Sequence, residues 1–80
     1  MPSATPIGFG VVTSRNLNLR AEPSTEAAIV GGLKFGDVMT LVRRDGSWYQ
    51  TSEGGWLSSL YLEVRQTRIE AESYARELIK

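Results

Sequence analysis

Four aromatic residues fall within one short stretch of this 80-residue chain. Trp48, Tyr49, Trp56 and Tyr61 lie within 14 positions and make up four of its seven aromatics. Flat aromatic faces offer dispersion contact to short peptides and glycans at little entropic cost, while the phenol O–H and indole N–H supply orienting hydrogen bonds. That is the chemistry of recognition. A small domain also needs its large side chains to fill a core, so core filling and groove lining are both open to each of the four. Catalysis has less to work with. The chain has no histidine and no cysteine, which removes the commonest general base, the thiolate nucleophile, the Cys/His zinc sites and any disulfide framework. Carboxylates remain, and Glu22, Glu26 and Asp37 are the ones that could gather near an aromatic groove. Two carboxylates roughly 5 to 9.5 Å apart can hydrolyse a glycoside. A domain this small has no deep cleft to exclude water or raise a carboxyl pKa, so these are expected to be solvated loop charges. The expectation is a protein that is not an enzyme and that takes no cofactor and no metal.

Nine Lys and Arg balance nine Asp and Glu, so no global field draws the chain to nucleic acid or anionic lipid. Arg43 and Arg44, with Arg15 and Arg20, could make a small basic surface, but strand alternation sends adjacent arginines to opposite faces. No run is long and apolar enough to span a bilayer, and residues 1–10 lack the basic and apolar regions of a secretory signal. The compartment therefore stays unknown: cell envelope if the chain is an excised module, cytoplasm or virion if it is complete.

The elements that must position the aromatics change character along the chain. All eight glycines lie between Gly8 and Gly55 and all three prolines before Ser24. There, short apolar runs alternate with turn clusters, as in small antiparallel β-domains: Val11–Val12, Leu17 with Leu19, Ile29 to Leu33, Val38 to Val42, Trp48–Tyr49, and Trp56 to Leu62. Leu17 and Leu19 point inward between Asn16, Asn18 and Arg20, and Asn18 is placed to bond neighbouring loop backbone. Met39 and Leu41 share one face of their run, and Val38, Thr40 and Val42 the other, which suits a strand covered on both sides. Asp45-Gly46 predicts a hairpin with a type I′ turn. Gly31 and Gly36 suit bulge or turn conformations where a Cβ would be unwelcome. The fold expected is mainly β: a small antiparallel barrel of about five strands over residues 8–63, after a flexible segment 1–7.

Residues 64–80 read as an amphipathic helix, about 65–79. Ala71, Tyr74, Ala75 and Leu78 recur at i, i+3, i+4 and i+7, forming one apolar stripe, with Ile69 pointing away from it. Glu72 and Arg76 suit an i,i+4 pair. A helix of about 16 residues is marginal alone, so the stripe must dock on the barrel or on a partner chain, which leaves an oligomer through this helix open.

The spacing of Val12-Thr13, Leu17-Asn18-Leu19-Arg20, Pro23-Ser24, Ile29-Val30-Gly31, Leu33, Gly36-Asp37, Trp48-Tyr49, Thr51, Gly54-Gly55-Trp56-Leu57 and Tyr61-Leu62 resembles bacterial SH3-like (SH3b) domains. The likeness covers about 51 residues, Val12 to Leu62. It implies an SH3-like barrel and a non-catalytic recognition module, whose ligand lies in a shallow groove lined by Trp48, Tyr49, Trp56, Tyr61 and the loop of residues 21–28 with Glu22 and Glu26. Peptide, peptidoglycan or a protein partner are the ligands it implies. Two positions depart from the family pattern: Glu22 stands where glycine is common, and Ala27 where an aromatic often lines the groove. Ser58 stands where eukaryotic SH3 domains place a groove proline, which argues against polyproline binding through the usual pockets. The competing expectation is a structural or adaptor subunit of a phage particle or other assembly, using the barrel and the terminal helix for protein contacts.

Overall fold

The computed structural model describes residues 5–79. Seven strands form one antiparallel sheet: β1 (Gly8–Val12), β2 (Asn16–Arg20), β3 (Ile29–Lys34), β4 (Val38–Asp45), β5 (Trp48–Thr51), β6 (Trp56–Ser58) and β7 (Leu62–Arg65). Their order is β3-β2-β6-β5-β4-β1-β7, and a helix α1 (Arg68–Leu78) follows. The mainly β barrel with a C-terminal helix matches the expected class, with seven strands rather than about five. Part of the difference comes from Trp56–Leu62, which reads as one apolar run. The run breaks at Ser58, whose hydroxyl accepts from Leu60 N–H at 3.4 Å and opens a 3-10 turn at Ser59–Tyr61. Of the segment 1–7, residues 1–4 lie outside the described residues, while Ile7 N–H already donates to Leu41 C=O at 2.8 Å.

Turn chemistry differs from expectation at one hairpin. Asp45 pairs with Trp48, so the two central residues are Gly46 and Ser47, not Asp45 and Gly46. Only Gly46 has positive φ, +61°, the pattern of a type II′ turn, in which glycine occupies the first central position. Gly55 is required for a different reason. It is buried, and a Cβ there would overlap the Leu19 side chain.

β1 divides the apolar interior in two. Val11 and Val12 are neighbours, point to opposite faces, and are both 0% exposed. Val12 joins Leu17 and Leu57 inside the barrel, with Leu19, Leu33, Met39 and Leu62 packed around them; Leu41 is also fully buried. Val11 faces outward into a second cluster with Ala71 and Ala75, flanked by Phe9, Val38, Tyr74 and Leu78. The stripe Ala71, Tyr74, Ala75 and Leu78, left open to a partner by its periodicity, is thus docked on the chain's own barrel. β4 is covered on both sides accordingly.

The helix begins three residues later than its periodicity suggests. Val64 and Arg65 are taken by β7, which pairs with β1 as far as Phe9↔Arg65, and Thr67 caps the helix by accepting from Glu70 N–H at 3.2 Å. Two arginines clamp it down. Arg65 lies over the Tyr74 ring at 4.7 Å and Arg68 over Phe9 at 5.2 Å. Arg68 also donates to Thr40 Oγ1 at 3.0 Å and pairs with Glu72 at 3.9 Å. Glu72 therefore pairs one turn back along the helix, not forward with Arg76. No helix among the described residues is long and apolar enough to cross a membrane.

Candidate functional site

Strand alternation sends Leu17 and Leu19 into the barrel and leaves Asn16, Asn18 and Arg20 on the outer face of β2. The register Trp48↔Ser58 and Gln50↔Trp56 between β5 and β6 puts these four residues on that same outer face, because Leu57 between them is fully buried. The 3-10 turn then swings Tyr61 toward Trp48. Ser59 N–H donates to Ser47 C=O at 2.8 Å, tying the turn to the β4–β5 hairpin, and Tyr61 C=O accepts from Thr13 N–H at 2.9 Å, tying it to the β1–β2 connection.

The result is a shallow groove of about 370 Å³ lined by Asn16, Leu17, Asn18, Arg20, Thr25, Trp48, Ser58, Leu60 and Tyr61. Tyr61 is 46% exposed and Leu60, on the rim, 78%. Trp48 is half-buried, so its ring is held by the sheet while one side stays accessible. The loop of residues 21–28 forms the far wall. It is held closed by Ala21 N–H to Ala28 C=O at 2.9 Å and by an Arg20 N–H to Ala27 C=O at 3.0 Å.

The four sequence-nominated aromatics do not share one site. Trp48 and Tyr61 meet in the groove. Trp56 lies on the same outer face but lines an adjoining hollow with Arg43, Arg44, Asp45 and Gln50. Tyr49 faces the other way: it pairs with Leu57 and lies under the Arg44 guanidinium, 5.6 Å from ring centre. The carboxylates are dispersed as well. Glu22 and Glu26 are exposed on the loop and do not line the groove, whose loop residue is Thr25. The Asp37 carboxylate is committed to the β3–β4 turn, where it accepts from Lys34 N–H at 2.8 Å.

Asn16, Asn18, Arg20, Thr25 and Leu60 are groove residues that the aromatic count did not nominate. Alternation along β2 was the signal for the first three, since it marked them as outward. The loop bond expected of Asn18 is made by Arg20 instead, and Asn18 lines the groove. The arrangement can hold a flat or extended ligand by stacking on Trp48 and Tyr61 while the amides and guanidinium satisfy its polar groups.

A family model described as bacterial SH3 domain matches residues 15–63. The matched segment holds β2 to β6, the 3-10 turn and every residue lining the groove. No curated protein matches the chain.

Proposed function

The chain belongs to the bacterial SH3 domain family, and from that premise we propose that it is a recognition module whose Trp48–Tyr61 groove binds short extended segments of cell-wall peptide or glycan, or of a protein partner. The family is one of non-catalytic binding modules in general. One observation carries the finer reading: two aromatics 13 positions apart in sequence converge on a groove whose remaining wall is rich in amide, hydroxyl and guanidinium groups. Such a surface favours a ligand with apolar faces and many hydrogen-bonding groups, which peptides and glycans both are. The alternative, a structural or adaptor subunit using the barrel and the terminal helix for protein contacts, draws less support from the helix, because the stripe Ala71, Tyr74, Ala75 and Leu78 packs against β1.

Co-sedimentation with purified peptidoglycan, run beside binding to an immobilised library of random octapeptides, tests the reading. Trp48→Ala and Tyr61→Ala should each weaken capture by about thirtyfold, the loss of one aromatic hot spot. Binding that is equal in wild type and both variants, or a folded wild type that captures neither ligand class, overturns it.

A further inference from the structure

Beside the groove, strand register lays the outer face of β2, β6, β5 and β4 out in two rows. Arg20 pairs with Trp56, Trp56 with Gln50, and Gln50 with Arg43, so these four side chains cross the sheet in one line. The next row holds Ser58, Trp48 and Asp45 in the same way. Trp48 and Trp56 are therefore diagonal neighbours, roughly 7–8 Å apart by sheet geometry. Trp48 faces the groove and Trp56 the adjoining hollow, so the two form one continuous surface.

The first row is cationic at both ends. Arg43 is exposed and enters neither of the ion pairs found among the described residues, Arg65–Glu63 and Arg68–Glu72, whereas the Arg20 guanidinium lines the groove and donates to Ala27 C=O at 3.0 Å. The Gln50 carboxamide between them is held by its Nε2, which donates to Gly54 C=O at 2.9 Å. A guanidinium accepts a carboxylate side-on through two parallel N–H bonds, and an indole beside it covers the aliphatic carbons that carry that carboxylate. Alternate residues of an extended peptide repeat at roughly 6.6 Å, close to the Trp48–Trp56 diagonal.

We propose that the Trp56, Gln50 and Arg43 end of this row is a second subsite, which holds the carboxylate of an Asp or Glu side chain in an extended peptide whose neighbouring residues occupy the Trp48–Tyr61 groove. This rests on the groove being a binding site. It adds that the partner is an acidic peptide, selected by charge as well as by aromatic contact. Asp45 and Arg44 line the same hollow, so the Asp45 carboxylate repels an incoming one from its own end and leaves it the Arg43 side.

The octapeptide library decides it. Peptides captured by the wild type should be enriched in Asp and Glu, and the enrichment should fade as salt rises from about 0.05 to 0.5 M, through screening. Arg43→Gln, at an exposed position that leaves the fold intact, should weaken the acidic peptides about fivefold and their Asn/Gln counterparts by less than about twofold. Trp48→Ala should weaken both sets. Loss on Trp48→Ala with no acidic preference, or with a preference that Arg43→Gln leaves unchanged, overturns the second subsite alone. Indifference to Trp48→Ala overturns the groove reading, and with it this one. Oligogalacturonate, a carboxylate-bearing glycan, is run in parallel. Arg43-dependent binding of it without binding of acidic peptides overturns the choice of a peptide.

Discussion

The two outer faces of the sheet begin with similar materials and end differently. On one side Phe9, Val11 and Val38 form an apolar surface, and α1 covers it with Ala71, Ala75, Tyr74 and Leu78. On the other side Trp48 and Trp56 are as large and as aromatic, yet no element of the chain covers them fully and both stay half-buried. Composition accounts for the contrast. The covered face carries few polar groups: Thr40 is bonded by Arg68, and Glu63 and Arg65 pair with each other at 3.1 Å on β7, while bare valine and phenylalanine gain most by leaving water. Alanines at the contact let the helix backbone approach closely. The open face alternates its indoles with Asn18, Arg20, Gln50 and Ser58, so it stays hydrated and keeps an accessible stacking surface, the one proposed to take a ligand. One face is used for stability and the other stays accessible, as the proposed recognition requires.

That division can be broken, and the largest effect should come from the covered side. Ala71 is 0% exposed against Val11, so Ala71→Asp buries an unpaired carboxylate. The variant should lose about 3 kcal/mol or more of stability in urea unfolding. A loss below about 1 kcal/mol would mean that the helix is not held on β1. On the open face, Trp48→Ala should cost only about 1 kcal/mol in the same measurement while removing most of the binding described above. Were its stability loss to match that of Ala71→Asp, Trp48 would be a structural residue and the contrast between the faces would disappear. The smallest effect concerns the clamps: Arg68→Gln removes a cation–π contact with Phe9 and a hydrogen bond to Thr40, both at an exposed position. It should cost about 0.5–1 kcal/mol and leave ligand binding unchanged. Altered binding would show that the two faces communicate.

Much of this architecture is legible in the residues. The inward Leu17 and Leu19, the two-sided strand around Met39 and Leu41, and the stripe Ala71, Tyr74, Ala75 and Leu78 all follow from periods of 2 and 3.6, because a local period decides which side chains share a face. The limits are as local. Arg65 opens the helical pattern in the sequence but pairs with Phe9 on β1, since a strand partner far away in sequence outweighs propensity. The hairpin turn shifted by one residue from Asp45-Gly46 because pairing between β4 and β5 continues to Asp45↔Trp48.

The same distinction governs the site. Counting aromatics found Trp48, Tyr49, Trp56 and Tyr61 but could not separate them, and the loop carboxylates Glu22 and Glu26 were nominated by likeness where Thr25 lines the groove. Periodicity by itself determined that Trp48 and Tyr49 point to opposite faces and that one face of the final helix is apolar. Only the tertiary structure decided which of those faces looks inward, that β1 is the surface the helix covers, and that a 3-10 turn carries Tyr61 to Trp48. The physical reason is that alternation is set by each residue's own backbone, whereas the environment of a face is set by strands and turns distant in sequence.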